Sequence, residues 1–456
     1  MRILVALAVG VAIPGVIYGV AIARSKSRLR QAYAALERDG RPMRAADVLP
    51  PAAPAEENAA VLYARAASLL QEQRLGTKDL RHYLGLSSSF VRGSITAEQT
   101  AELRRWMGQE VVATALTLAE KGTRCTVCRF DRRYDQGLPA DLPIVEDLGK
   151  LMIILGAKAG LEAEAGGAGK AWNTVATQAV LADALRYDPI VLSKWSRAGL
   201  INYTCHTIQN LCETSPPVAS DWQRTDDLLK DLDDIKPLVH AIDGERLLVG
   251  ERLFSMPEDQ LYRVLREGPG TGGDPLAEAA KRWEFRLATL GPRLIADHAG
   301  YLELMRRSAQ SLERLRLNEE SAVRTEIPGP RKQGLVTMRL GQRVWGTELL
   351  YRSMSASVRV TRAGLAAIRC RQAQGAFPQT PAALDLKGLV DPYTQGPLHY
   401  RRQDGGFVVY SVGEDLKDNG GSPRPDRRAD PNGKHVEYDL VWRFPGRTAQ
   451  GASHAN

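Results

Sequence analysis

The sequence predicts a mainly α-helical protein, built from antiparallel helical hairpins or a bundle, with a small C-terminal α+β module and an N-terminal transmembrane helix. Three observations predict this class. Apolar residues recur at helical spacing through most of residues 57–326, strand-like alternation is confined to the C-terminal part, and the chain opens on a long uncharged stretch. Because 456 residues exceed what one hydrophobic core normally accommodates, at least two units are expected.

The composition is that of a folded protein, with 44% hydrophobic and 25% charged residues. A net charge of +8 spread over 456 residues is a weak field, so it does not indicate a nucleic-acid partner. Five cysteines are too few for a small disulfide-stapled scaffold. The hydrophobic core is therefore expected to stabilise the fold.

The N-terminal residues predict a membrane helix. Residues 3–23 carry no charge, and roughly 20 apolar residues are enough to cross a bilayer core. We therefore assign residues 1–30 to a signal anchor or transmembrane helix. A cleaved signal peptide is the alternative, because Ala21, Ile22 and Ala23 fit the small-residue cleavage pattern. Basic residues flank the stretch on both sides: Arg2, Arg24, Lys26, Arg28 and Arg30.

Residues 31–56 are predicted to be a linker, because the prolines between positions 50 and 54 disfavour both helix and sheet. Residues 57–326 then form the predicted helical body, which begins with an Ala-rich amphipathic helix. Breakers interrupt the body near residues 123–143, 267–275 and 327–332. Paired helices joined by short turns are the natural way to bury such faces.

Two cysteines in the body, Cys125 and Cys128, have the spacing of a redox dithiol or half a zinc site. A zinc site needs a second pair, and Cys205 with Cys212 has the wrong spacing for one. Three interpretations remain open: buried or unpaired structural cysteines, a disulfide, and a redox or metal-binding role. Hydrolase motifs are missing, so an enzyme whose active site follows no recognised motif is the alternative to a non-enzymatic protein.

Part of the body has a familiar order of motifs. Glu57 and Asn58 open the first helix, Tyr63 follows, and a Cys128 to Asp131 segment precedes a second polar motif at residues 134–137. This arrangement resembles a group of membrane-anchored, uncharacterised helical proteins of planctomycete-type bacteria. The resemblance covers the body up to about residue 260 and implies architecture only, with no activity or catalytic residue carried over.

The C-terminal residues predict a different structure. A helix over 342–374 precedes strands at 398–402, 407–411 and 439–444, and the Asp404-Gly405 turn joins the first two strands as a hairpin. A three-stranded antiparallel sheet packed on that helix can bury one apolar face. Residues 340–445 therefore form the predicted α+β module, and residues 446–456 a disordered tail.

The motifs of this module resemble the C-terminal domain of the major pseudopilins of type II secretion. The resemblance is carried by the Tyr393 to Leu398 turn, a Ser411-x-Gly-x-Asp stretch and a final strand at Trp442. It implies a calcium site, for which the matching residues are Asp415, Asp418 and Asp439, and hard oxygen ligands on a flexible loop suit that ion. Unlike pseudopilins, this chain has no Glu in its apolar segment, and over 300 residues separate that segment from the sheet, which argues against pilus-type polymerisation.

The localisation evidence conflicts. The excess of basic residues after the apolar stretch would hold the bulk of the chain in the cytoplasm. Pseudopilin-type domains operate outside the cytoplasmic membrane, and we give this resemblance more weight. The expectation is a single-pass protein of the cytoplasmic (inner) membrane with its bulk facing the periplasm. It is expected to act as a protein-interaction or assembly component, with the membrane and other proteins as partners and no nucleic acid.

Overall fold

A computed structural model of the chain describes residues 2–71, 79–132, 143–266, 275–316, 334–384, 389–403, 405–423 and 439–445. The side chains of residues 1–12 and 14 lie outside the described part. Several predicted features lie wholly or largely outside it too: the motif at residues 134–137, the breakers at 267–275 and 327–332, residue 404 of the hairpin turn, and the tail at 446–456.

The described part is mainly helical, as predicted, and its α-helices are numbered in chain order. They are α1 (Arg2–Arg38), α2 (Ala59–Gln71), α3 (Leu80–Val91), α4 (Ala97–Met107), α5 (Glu110–Gly122), α6 (Pro143–Glu164), α7 (Ala168–Ala182), α8 (Val191–Thr214), α9 (Ala219–Leu232), α10 (Lys236–Gly244), α11 (Glu251–Ser255), α12 (Glu258–Arg266), α13 (Pro275–Thr289), α14 (Pro292–Arg316), α15 (Leu335–Val344) and α16 (Thr347–Gln374). A π-helix, Glu245–Gly250, continues α10 directly into α11.

Local signals explain several helix boundaries. The Thr96 hydroxyl accepts a hydrogen bond from the Gln99 N–H at 3.2 Å, and the Gln99 side chain accepts one from the Thr96 N–H at 3.0 Å, so α4 begins with a capping box. Helix α4 ends at Gly108, and Gln109 precedes α5. Glycine has low helix propensity, which favours an interruption at this position.

The small C-terminal sheet confirms the prediction of three antiparallel strands. Strands β1 (His399–Gln403), β2 (Gly406–Ser411) and β3 (Leu440–Phe444) lie in the order β1-β2-β3. All of the central strand β2 is buried, and its Phe407 stacks on Phe444 with ring centroids 5.4 Å apart. The alternation and the glycine turn therefore predicted both the pairing and its direction.

The sheet packs on α16 through a close approach of helix and ring. A Cβ atom at Gly364 would overlap the Trp442 ring, so only glycine fits at that point on the helix. On its other side α16 packs against α8 and α9 of the helical body. One helix therefore belongs to the cores of both the sheet and the body.

Residues 31–56, assigned to a linker in the sequence analysis, are mostly exposed but are fixed to the body at a few buried residues. Helix α1 continues without a break to Arg38, and Leu36 and Val48 are fully buried. Exposed basic side chains on one face of a helix do not end it, which is why no boundary follows the basic cluster. The proline-rich stretch then leads through the short 3₁₀ segment Ala55–Glu57 into α2.

No helix in the described part of the chain is both long enough and apolar enough to cross a membrane. Much of the predicted transmembrane stretch, residues 1–12 and 14, has side chains outside that part. Its backbone is helical from Arg2 onward.

Candidate functional site

The segment of α1 around residues 13–20 leaves apolar side chains exposed. Val16 is 66% exposed and Ile17 63% exposed, although both are aliphatic. Consecutive residues on a helix point about 100° apart, so residues 16, 17 and 18 span about 200° of the helix circumference, and Gly15 and Gly19 lie in the remaining arc. This part of α1 therefore presents a broad exposed apolar face. Its exposed large side chains are Ile13, Val16, Ile17, Tyr18 and Val20.

Further along, α1 is bound to the body by a polar cluster. The Tyr33 hydroxyl donates a hydrogen bond to Glu251 Oε2 at 2.7 Å, and His298 Nε2 lies 3.1 Å from the same oxygen. Burial tends to raise the pKa of Glu251, but the His298 and Tyr33 hydrogen bonds outweigh it and hold that pKa below its usual value. Glu251 is therefore ionised at neutral pH, and it joins α1, α11 and α14.

A second cluster ties the end of α1 to α10 and α14. The Arg41 guanidinium is buried and lies 3.3 Å from Asp243 and 2.5 Å from Glu313. Two residues earlier, Asp39 pairs with Arg306 of α14 at 3.0 Å. Burying an arginine is costly unless it is paired, so these partners must be in place for the segment to dock.

The π-helix carries the most buried charges near this junction. The Glu245 side chain is inaccessible, and it accepts hydrogen bonds from the Val191 N–H at 3.2 Å and from Arg343 at 3.3 Å. Burial raises the pKa of Glu245, against the opposing effect of Arg343. A Cβ at Gly250 would overlap the Tyr301 ring, so the helix also approaches α14 closely here. Such π-helical turns occur often at functional sites.

The structure brings together two motifs noted in the sequence. The Asn58 amide donates to the Arg129 carbonyl at 2.8 Å and accepts from the Arg129 N–H at 2.8 Å. The Ala59 N–H also donates to the Val127 carbonyl at 2.8 Å. The Asn58 side chain therefore pairs with the Arg129 backbone as a neighbouring strand would. This pairing fixes the segment 125–129, which contains both cysteines, against the start of α2.

This segment borders a pocket of about 160 Å³, which is smaller than most small-molecule sites. Tyr63, Asp183 and Arg186 line it along with both cysteines of the predicted dithiol. Burial raises the pKa of Cys128 to about 12, and burial also raises the pKa of Cys125. Neither thiol is activated as a thiolate at neutral pH, and all five cysteines are free.

Behind the pocket lies a buried lysine that sequence reasoning missed. Lys194 donates to the carbonyls of Leu185 and Arg186, the latter at 2.7 Å, and so caps the 3₁₀ turn Asp183–Leu185 that precedes α8. Burial lowers its pKa to about 7, although Asp188 nearby favours the charged form. Asp188 itself accepts from the Ser193 hydroxyl and pairs with Arg132 at 2.8 Å. Lys194 is only 3% exposed, so its role here is to hold the backbone rather than to meet a substrate.

Of the acidic residues predicted to bind calcium, Asp415 and Asp418 lie on the loop after β2, and Asp439 lies directly before β3. Asp439 accepts from the N–H groups of Asn419, Gly421 and Ser422 at 3.3, 2.8 and 3.2 Å. Asp418 accepts from the Tyr410 hydroxyl at 2.9 Å, and Asp415 from the Asn419 amide at 3.0 Å.

These donors occupy carboxylate oxygens that a cation would need, so the donor set does not form a cation cage. Among the residues the structure describes, no three His, Cys, Asp or Glu side chains are grouped to hold a metal ion. Calcium binding therefore remains a prediction drawn from the resemblance.

Helix α9 is rich in aspartates, and it packs against α16. Asp226 pairs with Arg362 at 2.7 Å, and Asp233 pairs with Arg359 at 2.9 Å. Asp233 is largely enclosed, and burial raises its pKa against the opposing effect of Arg359. The helical spacing of the acids indicated a polar face, but not that arginines from 126 or more residues away cover it.

No family model, curated protein or solved structure matches this chain.

Proposed function

We propose that the chain is a membrane-tethered protein that acts in protein interaction or assembly, with α1 as its anchor. The observation that carries this proposal is the broad apolar face that α1 leaves exposed around residues 13–20. An apolar helix face is normally buried in a core or in lipid rather than left in water. The uncharged stretch over residues 3–23 extends the same surface toward the N-terminus.

The charges that follow support an anchor that ends near residue 23. Arg24, Lys26, Arg28 and Arg30 are exposed where α1 meets the body. Basic side chains at the end of a membrane helix lie among lipid headgroups, which they attract electrostatically. The Tyr33 and Arg41 clusters then bind the helix to the body, so the anchor and the body are joined by ordered structure.

We propose further that the bulk of the chain faces the periplasm, with the sheet module and the helical body offering surfaces to other proteins. The support is the resemblance of the module to pseudopilin C-terminal domains, which work outside the cytoplasmic membrane. A reporter fused after Asn456 should be active only outside the cytoplasm. Activity only inside the cytoplasm would overturn this orientation while leaving the anchor itself intact.

Membrane fractionation of the full chain tests the anchor directly. We expect the wild type to remain with membranes after carbonate extraction and to need detergent for release. A variant with Val16→Ser, Ile17→Ser and Val20→Ser should be released in part, because each apolar side chain withdrawn from lipid weakens the insertion. The control carries Leu349→Ser, a change at a 43% exposed apolar residue of α16.

Recovery of the wild type in the carbonate supernatant would contradict the proposal. Release of the control together with the triple variant would contradict it too, because the effect would then not be specific to α1. Circular dichroism of each variant in detergent checks that the helical body is folded.

An enzyme with its active site in the helical body is the second candidate, and the pocket beside Cys125 and Cys128 is the observation that favours it. Its small volume and the raised pKa of both thiols count against covalent chemistry by those cysteines. Asp183 and Arg186, which line it, pair with each other at 2.8 Å. We therefore rank an interaction protein first.

A further inference from the structure

Helix α13 carries apolar side chains on two sides. Phe285 and Thr289 are buried, and the Phe285 ring meets Tyr262 of α12 edge to face at a centroid distance of 5.0 Å. On the opposite side Trp283 is 62% exposed and Leu287 44%, and Leu290, directly after the last helical residue, is 51% exposed. Trp283 and Leu287, at i and i+4, lie on one stripe of the helix, which Leu290 extends past its end.

Basic side chains lie along one edge of this stripe. At about 100° per residue, Arg282 and Arg286 are on that edge, whereas Glu284 lies beyond the other edge and Lys281 on the opposite side of the helix. Arg286 pairs with Glu258 at 2.8 Å, and the Arg282 guanidinium lies 5.3 Å from the centroid of the Tyr262 ring, so Arg282 supplies this edge with a charge that is not paired with a carboxylate among the described residues. Arg293 follows, and it donates to the Leu287 carbonyl at 2.7 Å at the end of the helix.

The stripe is continuous with the exposed part of α1. The Tyr18 hydroxyl lies so close to Gly291 that a Cβ there would overlap it. The C-terminal end of α13 therefore lies beside residue 18, within the uncharged stretch and one and a half turns before Arg24. Tyrosine and tryptophan are the residues typical of the boundary between lipid and water.

We propose that α13 lies on the surface of a membrane containing anionic lipid, with Trp283, Leu287 and Leu290 inserted at the level of the headgroups. This inference rests on the proposed function, because α1 must be anchored to bring α13 to the bilayer. An apolar stripe beside basic residues is the pattern of helices that lie in a membrane interface. Because the end of α13 lies beside Tyr18 of the proposed anchor, the bilayer is the surface that the stripe would face.

Quenching of tryptophan fluorescence by brominated lipid tests the inference on the full chain. The chain is reconstituted into vesicles of brominated phosphatidylcholine, with and without phosphatidylglycerol, and the floated fraction is measured. We expect clear quenching with phosphatidylglycerol and weaker quenching without it. In Trp283→Phe most of that quenching should be lost. The matched control is Trp195→Phe, which removes a 43% exposed tryptophan of α8 and should leave the quenching unchanged.

The outcomes separate this inference from the proposal on which it rests. If the chain does not float, both the anchor and the surface helix are wrong. If it floats but Trp283→Phe and wild type are quenched alike, the anchor holds and the surface helix is wrong. Equal quenching in vesicles without phosphatidylglycerol would overturn the role of anionic lipid. Concentration-dependent association in detergent that Trp283→Ser abolishes would assign the stripe to a second copy instead.

Discussion

The Tyr33 hydroxyl and Glu251 Oε2 are joined by a 2.7 Å hydrogen bond across 218 residues of sequence. His298 Nε2 lies 3.1 Å from the same oxygen, so one carboxylate connects α1 with two helices of the body. A long helix that carries exposed apolar residues at one end is thus held at its other end by buried polar contacts.

Replacing Tyr33 by phenylalanine should loosen this junction. The ring remains but Glu251 loses one donor, so we expect the free energy of unfolding to fall by about 1–2 kcal/mol. Hydrogen exchange should rise in α1 after residue 24 and stay unchanged in α6. Tyr187→Phe, at a 53% exposed tyrosine, is the control, for which we expect a change within about 0.5 kcal/mol. Equal stability of both variants would contradict a docking role for Tyr33.

Lys194 predicts a pH dependence with a definite sign. Burial lowers its folded-state pKa to about 7, whereas the unfolded value is about 10.4, so between these values the unfolded chain binds more protons. The contribution of Lys194 to the free energy of unfolding therefore rises with pH in that window, by at most about 1.4 kcal/mol per pH unit.

Subtracting the urea-unfolding curve of Lys194→Met from that of the wild type isolates this contribution. The subtraction is needed because burial raises the pKa of Cys128 and Cys205 to about 12, which lowers stability as pH rises above their unfolded values. Lys230→Met, at an exposed lysine, is the control and should give no such difference. A flat difference between pH 7 and 9 would mean that Lys194 is charged in the fold.

Asn58 should matter more than its place at a helix start suggests. Asn58→Ala removes both hydrogen bonds to the Arg129 backbone and leaves these groups partly buried without their partner. We expect a loss of about 1–3 kcal/mol in the free energy of unfolding. Gln223→Ala removes an exposed side-chain hydrogen bond and should change stability by less than about 0.5 kcal/mol. An equally small effect of Asn58→Ala would show that the cysteine segment is held by other contacts.

The cysteines should differ in reactivity. In the native chain at pH 7.5, iodoacetamide should label Cys370 first and Cys125 next, because both are partly accessible. Cys205 and Cys212 are enclosed, and burial raises the pKa of both, so they should react only after unfolding. Cys128 is partly accessible, but burial raises its pKa to about 12, so it should react more slowly than Cys125 and Cys370. Mass spectrometry of the labelled peptides measures the order. Labelling of Cys128 as fast as Cys370 would support the hypothesis that Cys125 and Cys128 form a reactive dithiol.

Asp439 should stabilise its loop without any metal. Asp439→Asn replaces a carboxylate that accepts three N–H bonds, and we expect a lower melting temperature in the presence of a chelator. Asp415→Asn, on the exposed part of the same loop, should have a smaller effect. Melting of the wild type in calcium and in chelator tests the ion itself. A melting temperature that is higher in calcium than in chelator, with the difference lost in Asp439→Asn, would support the predicted site. Equal melting temperatures of the wild type in calcium and in chelator would contradict it.

The helical class and the sheet were accessible from sequence because both depend on local patterns. Alternation around Phe407 and the turn at Gly405 predicted the hairpin, and apolar spacing predicted the helices. Pairing between distant polar residues leaves no such pattern. Nothing near Tyr33 identifies Glu251 as its partner, and Lys194 resembles any lysine on a helix until the carbonyls of the 3₁₀ turn enclose it.

The boundary after residue 30 shows a further limit. The basic residues and the prolines predicted an anchor followed by a linker, yet Leu36 and Val48 are buried against the body. A single apolar residue in a polar stretch gives no periodic pattern from which burial could be predicted, although in the fold its whole side chain is buried. The π-helix has no recognised sequence signature, so Glu245 could not be distinguished from an ordinary polar face of a helix.

The unbroken course of α1 has a mechanical consequence. From Val20 to Leu36 a continuous helix rises about 24 Å, and it does so as a stiff rod. A disordered tether would let an attached domain tumble through a wide cone above the bilayer. With α1 inserted, this rod would hold the body at a fixed height above the bilayer, so a binding partner would meet it at the same distance from the membrane at every encounter.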